Sequence, residues 1–205
     1  MKKLLVTLVA SLGVFSVATQ GAAIEGFGTG GFNIEKWSDS TEGDTIGWAF
    51  SVNTNITATD LGYWIDPDGT VDGSHEVGIW DANENLLRSV TVDSLSTDED
   101  NGWMYEPINP LALSAGTTYV IGAVEFPDDD DAYKTGVSSV NDAPEITWLN
   151  SRDPTGLVEG LGLAFPAYTA TSIGRFGPNF KYVPEPAALA FLLLGGVSLL
   201  RRRNG

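Results

Sequence analysis

Apolar and polar residues alternate with a period of two in short runs through the middle of the chain. Trp48, Phe50 and Val52 share one side of such a run, while Ala49 and Ser51 take the other. Because successive side chains of a strand point to opposite faces, this alternation predicts a β-strand with one buried face. The same reasoning predicts further strands at residues 56–65, 76–80, 86–92, 103–113, 117–126, 145–150 and 179–183. No long run with the helical period of 3.6 interrupts them, so this region is predicted to be all-β.

Clusters of Gly, Pro, Asn and Asp separate the predicted strands. Residues 81–85 are typical of a hairpin loop, and residues 114–116 of a tight turn. The stretch 157–170, rich in Gly, Ala and Pro, is predicted to be an irregular surface loop. Frequent turns between short strands favour a single antiparallel β-sandwich with a jelly-roll-like arrangement.

The amino-terminal segment breaks this pattern. Lys2 and Lys3 precede an apolar stretch that runs to Val17 and is followed by small residues. This order predicts a secretory signal peptide, which implies the Sec machinery and signal peptidase as partners. Small residues permit cleavage after Ala18 or after Ala23, and we expect the second, giving a signal helix within residues 1–23. An uncleaved anchor is the alternative, but the apolar run is shorter than the roughly 20 residues that a bilayer needs.

The carboxyl-terminal segment has three parts. They are Val183, Pro184, Glu185 and Pro186, then the uncharged residues 187–200, and then Arg201, Arg202 and Arg203. The prolines cannot donate to a sheet, so we expect the first part to be presented as an open strand. As a helix, the apolar part spans about 21 Å, less than the roughly 30 Å of a hydrocarbon core. The arginines prefer the cytoplasmic side and would act as a membrane stop, so the tail predicts a transient anchor.

This tail resembles the PEP-CTERM sorting signal of Gram-negative bacteria, whose motif is matched by Pro184, Glu185 and Pro186. The resemblance implies recognition by an exosortase, a membrane-embedded cysteine protease, with cleavage near the motif. It also implies a cell that secretes exopolysaccharide. An ordinary short membrane anchor is the alternative.

The middle of the chain resembles an uncharacterised β-sandwich domain common in PEP-CTERM proteins. The strings that carry this resemblance are residues 47–50, 74–81, 110–123 and 177–180. We therefore divide the chain into a signal peptide (1–23), a β-sandwich ectodomain (24–182) and a sorting signal (183–205) with a short hydrophobic helix. The resemblance implies a fold but no established reaction.

The net negative charge of the chain limits the kinds of molecule that can bind to it. The chain has 11 basic and 27 acidic residues, a net charge of −16 at pH 7. Five of the basic residues and one acidic residue, Glu185, lie in the end segments, so the predicted ectodomain carries 6 basic and 26 acidic residues, a net charge of −20. Such a domain repels phosphate backbones, so nucleic acid is excluded as a partner. The absence of cysteine also excludes disulfides, thiol catalysis and thiolate zinc sites.

Candidate catalytic residues are few. His75 is the one histidine in the sequence, and we expect it to be structural or on the surface. Residues 26–31 fit G-x-G-x-x-G, but they open no predicted helix and are better read as a flexible glycine-rich strand. Pairs of carboxylates for glycoside hydrolysis arise by chance in so acidic a domain. We therefore expect no enzymatic activity, with a secreted hydrolase as a remote alternative.

Two acidic segments are candidates for a hard cation. Asp66, Asp68 and Asp72 lie close together on a glycine-containing turn, as calcium coordination by oxygen requires. An acidic hairpin turn without a metal is the interpretation we favour, and no cofactor is required. Residues 128–131 are four aspartates in a row, which is typical of a solvated loop.

Trp64 and Trp80 lie out of phase with their apolar neighbours, which would let both rings project from the outer face. Exposed aromatic rings can stack on sugars, so these two rings are candidates for glycan contact. The interpretation we favour is that both faces of the sheets are partly covered. The sequence thus predicts a non-enzymatic surface or extracellular-matrix protein, exported across the inner membrane and associated with exopolysaccharide. A carbohydrate-binding module, calcium-dependent or not, is the alternative.

Overall fold

The computed structural model describes residues 19–36, 43–67, 69–127, 131–154 and 162–185. Within these residues the fold is all-β, and the strands pair antiparallel. The strands are β1 (Gly21–Ala22), β2 (Ile24–Phe27), β3 (Asn33–Glu35), β4 (Asp44–Val52), β5 (Ile56–Trp64), β6 (Ser74–Asp81), β7 (Leu86–Asp93), β8 (Asp98–Asp100), β9 (Trp103–Leu113), β10 (Thr118–Glu125), β11 (Tyr133–Thr135), β12 (Val140–Asp142), β13 (Ile146–Asp153), β14 (Tyr168–Thr169), β15 (Gly174–Phe176) and β16 (Pro178–Pro184). The all-β prediction is confirmed.

Two large sheets form a sandwich-like arrangement. One has the strand order β1-β16-β5-β9-β8 and the other β14-β13-β4-β10-β6-β7. Their facing side chains meet in an apolar core, where the ring of Phe180 lies 6.1 Å from that of Trp48 and 5.0 Å from that of Phe50. All three rings are fully buried. Removal of this aromatic surface from water is the main force that holds the sheets together.

The predicted strands all occur within a few residues of their expected limits, and β9 has the limits that were predicted. The predicted hairpin between β6 and β7 is also confirmed. There the carboxylate of Asp81 accepts the backbone N–H groups of Asn83 and Asn85 at 2.9 and 3.0 Å. An aspartate that closes its own turn in this way is a local signal, which explains why the sequence identified it.

The expectation of one buried face on β4 is wrong, because Ala49 on the second face is also fully buried. β4 lies inside the six-stranded sheet, and a chain segment covers the outer side. The hydroxyl of Thr45 donates to the carbonyl of Gly162 at 2.7 Å and accepts the N–H of Ala164 at 2.9 Å. The described part of the predicted surface loop, residues 162–170, is thus packed against the sheet and includes β14.

The folded unit begins at Thr19 rather than at Ile24. β1 pairs with β16, with Gly21 opposite Tyr182. Residues 1–18 of the predicted signal helix lie outside the described residues.

At the carboxyl end the folded unit extends to Glu185. Val183 and Pro184 belong to β16, where they lie opposite Thr57 and Ile56 of β5, and the N–H of Glu185 donates to the carbonyl of Asn55 at 3.1 Å. The expectation of an open strand is therefore wrong for these positions. It fails because proline at a strand end still permits its neighbours to pair.

The rest of the tail, with Pro186, the apolar helix and Arg201, Arg202 and Arg203, lies outside the described residues. Among the residues that are described, no helix has the length and apolar character needed to cross a bilayer.

Two small sheets add to the sandwich: β15-β11-β3 and β12-β2. Phe27 of β2 packs against Phe176 of β15 with ring centroids 4.9 Å apart, and against Trp103 of β9 at 6.0 Å. β11 pairs with β15, so these contacts place β2, β9 and β11 around one cavity, which is the candidate site.

Candidate ligand-binding site

A cavity of about 410 Å³ opens beside the glycine-rich segment 25–32. Its walls are residues of this segment together with Asn101, Trp103 and Lys134. The volume lies within the range of small-molecule sites, roughly 300–1,000 Å³. Three distant parts of the sequence therefore contribute to one concave surface.

Lys134 of β11 places its ammonium group among four aromatic rings. The Nζ atom lies 4.4 Å from the ring centroid of Trp64, 4.8 Å from that of Phe32, 5.0 Å from that of Phe27 and 5.2 Å from that of Trp103. Within about 6 Å, the negative face of each ring attracts the cation. We call Lys134 and these four rings the aromatic lysine site.

The described part of the chain supplies no hydrogen-bond acceptor and no carboxylate in contact with the Lys134 ammonium. Aromatic faces compensate poorly for lost hydration, so partial burial lowers the pKa of Lys134 to about 8. The amine is consequently a desolvated donor at the wall of an open cavity.

Trp103 forms a buried part of the cavity wall. Its side chain is only 2% exposed, yet its indole N–H has no acceptor among the described residues. The turn before it is held in place by Asn101, whose side-chain amide donates to the carbonyl of Glu25 at 3.0 Å. Asn101 and Gly102 both have positive φ, 55° and 84°, which permits the tight connection between β8 and β9.

The groups at this site have the chemistry that binds a ligand. Aromatic faces suit the apolar face of a sugar ring, and the Lys134 ammonium suits oxygen acceptors. Glu25 is the one carboxylate among the described residues that line the cavity, so the carboxylate pair of a glycoside hydrolase is not assembled there.

His75 lies elsewhere, in a buried polar cluster. Its ring is fully buried and stacks on Tyr63, with centroids 3.6 Å apart and planes 4° from parallel. Nδ1 lies 2.8 Å from the carbonyl oxygen of Val124, and Nε2 lies 2.9 Å from a carboxylate oxygen of Asp131. Both partners can only accept, so both ring nitrogens donate and the ring is an imidazolium. Burial lowers the pKa of His75. The hydrogen bond to Asp131 and the nearby charge of Glu125 raise the pKa by a larger amount, so the net shift is upward.

Asp131 joins this cluster to the acidic turn. Its carboxylate also accepts the backbone N–H groups of Asp72 and Gly73, at 3.0 and 2.6 Å. Burial raises the pKa of Asp131, whereas the hydrogen bonds from His75 and from these two amides lower it below its ordinary value. His75 therefore has a structural role, fixing the loop that precedes β6.

The predicted calcium ligands are only partly described. The carbonyl of Asp66 accepts the N–H of Gly69 at 3.0 Å, and the carboxylate of Asp72 accepts the Thr70 hydroxyl at 3.0 Å. Asp68, and residues 128–130 of the aspartate run, lie outside the described residues. Among those that are described, no three His, Asp or Glu side chains converge as metal ligands.

The hypothesis that Trp64 and Trp80 project into solvent is wrong, and the favoured interpretation, that both sheet faces are covered, is confirmed at these positions. Trp64 is 4% exposed and Trp80 is 3% exposed, and they belong to different large sheets. Phe32 covers Trp64 edge-on at 6.4 Å, while Phe165 lies against Trp80 at 6.3 Å. Segments distant in sequence cover the outer faces, which strand periodicity cannot show, so these two rings do not form a sugar platform.

The aromatic lysine site was missed by the sequence reasoning, although a weak signal was present. The ectodomain has few basic residues, and one of them, Lys134, follows closely after the aspartate run. Phe27 lies within the glycine-rich segment and Phe32 directly follows it, and the sequence predicts only a flexible strand there. Neither observation indicates that the two regions meet.

Comparison with known proteins gives a family but no activity. No curated protein matches this chain. Residues 33–173, about two thirds of the sequence, match the model of a domain of unknown function, DUF4082. The matched region includes Lys134, Trp64 and Trp103. The chain therefore belongs to the DUF4082 family.

Proposed function

We propose that this protein is an exported, exosortase-processed surface or extracellular-matrix protein that acts by binding carbohydrate rather than by catalysis. The observation that carries the binding role is the aromatic lysine site beside an open cavity of about 410 Å³. A jelly-roll-like sandwich, with a signal helix before it and a short hydrophobic helix after it, is the architecture we propose for the whole chain.

The targeting role is supported by the residue order at both ends. Lys2 and Lys3 before an apolar run support export through Sec and signal peptidase. Pro184, Glu185 and Pro186, followed by an apolar run and arginines, support transient anchorage in the inner membrane of a Gram-negative bacterium and release by exosortase. The protein then remains at the cell surface or is secreted.

Mass spectrometry of protein recovered from the cell surface tests this role. We expect a carboxyl terminus near the motif and no peptide containing Arg203. A variant with Pro184→Ala and Pro186→Ala should keep the tail. Surface-recovered wild-type protein that still contains Arg203 would contradict processing.

Titration of the protein with a panel of oligosaccharides tests the binding role. Bound sugar should change tryptophan fluorescence and shift the NMR signals of residues around the cavity. Phe32→Ala removes a half-exposed ring from the cavity wall and should weaken binding about tenfold, or about 1.4 kcal/mol, since fully burying a Phe side chain contributes about 1.5–3 kcal/mol. Leu95→Ala, which removes a side chain that is 83% exposed in the turn after β7, is the matched control. If no oligosaccharide perturbs either signal, the binding role fails.

The net charge bears on association with exopolysaccharide. A domain with a net charge of −20 repels an acidic polymer, so we propose that association with such a polymer depends on divalent cations. The acidic turn of Asp66, Asp68 and Asp72 is the proposed calcium site. A chelator should release the protein from the polymer, and Asp72→Asn should have the same effect. Association that a chelator leaves unchanged would reject the cation bridge.

A further inference from the structure

We propose that the ligand of the aromatic lysine site carries a carboxylate, as in a uronic acid residue of a polysaccharide. In this arrangement the carboxylate bonds to the ammonium of Lys134, while the sugar ring lies against the aromatic walls. The inference rests on the proposed carbohydrate-binding function and names the class of sugar.

The first observation is that Lys134 lacks an anionic partner in a very acidic protein. Two other basic residues of the described chain, Lys181 and Arg175, have carboxylate partners, and Arg88 and Arg152 donate to backbone carbonyls. Lys181 contacts Asp98 at 2.8 Å and Asp100 at 3.6 Å, and Arg175 is paired with Asp153. With 27 acidic residues in the chain, a lysine that meets only aromatic rings among the described residues is unusual. The anion that would compensate this charge is one that enters the cavity.

The second observation is the chemistry of the cavity wall. Lys134 is the one cationic side chain among the described residues that line the cavity, and Glu25, the one carboxylate among them, forms no ion pair with it. The ammonium has three N–H donors, and a carboxylate offers two acceptor oxygens on one carbon.

The third observation concerns the rest of the ligand. Phe27, Phe32 and Trp103 line the cavity along with Lys134, so the anion must be attached to a group that can pack on aromatic faces. A uronic acid satisfies both needs, because its carboxylate is bonded directly to a ring with an apolar C–H face. A bare inorganic anion has no such face.

The negative charge of the protein surface limits the length of acidic polysaccharide that can bind well. A single carboxylate in the cavity is compensated locally, whereas a long polyuronate also meets the field of the acidic surface. Short oligosaccharides with one terminal uronic acid are therefore the appropriate probes.

The test compares two trisaccharides that differ only in the terminal sugar, which is glucuronic acid in one and glucose in the other. Each is titrated into the mature protein. We expect the acidic trisaccharide to bind at least about tenfold more tightly, as one charge-assisted hydrogen bond implies. Lys134→Met should bring the two affinities together, and Lys134→Arg should restore part of the difference. Lys181→Met, which removes a lysine already paired with carboxylates, should leave both affinities unchanged.

The outcomes separate this inference from the proposed function. Equal binding of both trisaccharides to the wild-type protein overturns the carboxylate but leaves carbohydrate binding intact. A preference for the acidic sugar that survives in Lys134→Met also overturns it, because the anion would then bind elsewhere. Absence of binding by either probe, or by any neutral oligosaccharide, defeats the proposed function as well.

A different observation carries a second inference. We infer that signal peptidase cleaves after Ala18 and leaves Thr19 as the first residue, which rests on the proposed export. The side chain of Gln20 donates to the hydroxyl of Thr59 at 2.8 Å and to the carboxylate of Asp60 at 2.5 Å. Ala23 is fully buried, and its N–H donates to the carbonyl of Phe180 at 2.9 Å.

Cleavage after Ala23 would remove β1 and leave a charged amino group on Ile24. That residue is fully buried, and its N–H donates to the side-chain oxygen of Asn179 at 3.1 Å. Placing an ammonium there without an anionic partner is strongly unfavourable. Ser16 and Ala18 meet the small-residue requirement before the earlier bond.

Amino-terminal sequencing of the exported protein tests this inference, and Thr19 is the expected first residue. Ala18→Leu should abolish that terminus, whereas Ala22→Ser, a small change outside the cleavage pattern, should leave it in place. An exported protein that begins at Ile24 overturns the inference while export stands. A chain found only as the intact precursor in the cytoplasm defeats export itself.

Discussion

Replacement of His75 by glutamine should remove a large share of the stability of the domain. The imidazolium donates to the carbonyl of Val124 and to the carboxylate of Asp131, and it stacks on Tyr63. Glutamine carries no charge, so the buried carboxylate of Asp131 loses its cationic partner. Breaking a buried ion pair on one side costs about 3–5 kcal/mol. For a domain of this size that is a decrease of roughly 6–20 °C in Tm.

The pH dependence gives the sharper test. The pKa of His75 is raised in the folded protein, so the native state holds a proton that the unfolded state releases above about pH 6.5. The stabilisation is fully present below this pH and is lost as the pH rises through the folded-state pKa. In that interval the free energy of unfolding should fall by up to about 1.4 kcal/mol per pH unit.

Urea denaturation at intervals between pH 6.5 and pH 8 measures this slope. The range stops at pH 8 because Lys134, with a pKa of about 8, acts in the opposite direction above it. His75→Gln should have a much flatter profile, while Glu76→Gln, a change at an exposed position of the same strand, should keep the slope of the wild type. A flat wild-type profile, or equal slopes in the wild type and His75→Gln, would refute the imidazolium assignment.

Three further changes probe other parts of the structure by urea denaturation. Lys134→Met should stabilise the protein by about 1 kcal/mol at pH 7, because the half-buried ammonium is poorly solvated. This gain should shrink as the pH rises through about 8, where the wild type loses the ammonium proton. A gain in stability that persists at about pH 9.5 would contradict this reasoning. Gly47→Ala should cost at least about 3 kcal/mol of stability, since a Cβ there would lie 2.0 Å from the carbonyl oxygen of Ile121. Gly26→Ala is the control, because its Cβ would meet nothing closer than 3.8 Å, and it should change stability by under about 1 kcal/mol. Equal effects of the two changes would show that β4 and β10 separate easily. Asn179→Leu should cost about 3–5 kcal/mol of stability, because the buried side-chain amide bonds to both the N–H and the carbonyl of Ile24. A loss below about 1 kcal/mol would mean that water takes over the hydrogen bonds of the amide.

The sequence was a good guide where the decisive contacts are local. The alternation of Trp48, Phe50 and Val52 predicted β4, and Asp81 with its neighbours predicted the hairpin after β6. Both signals depend on residues a few positions apart, since strand geometry and turn closure are properties of a short stretch of backbone. The all-β class follows from the same local pattern.

The short strands at the ends and around the site were not predictable in the same way. β1 has two residues and β11 has three, too few for any alternation to register. They are strands because a partner edge is available: β16 for β1, and β3 with β15 for β11. Pairing across such distances is invisible in a local window.

By itself, the sequence determined that the middle of this chain forms antiparallel strands, because period-two alternation and turn residues act over a few positions. The tertiary structure alone decided what covers each face: Phe32 over Trp64, and Phe165 over Trp80. It also decided that Lys134 meets aromatic rings from four separate positions in the chain. The reason is physical, since strand periodicity fixes the side on which a residue lies, while the neighbour on that side is supplied by segments tens of residues away in sequence.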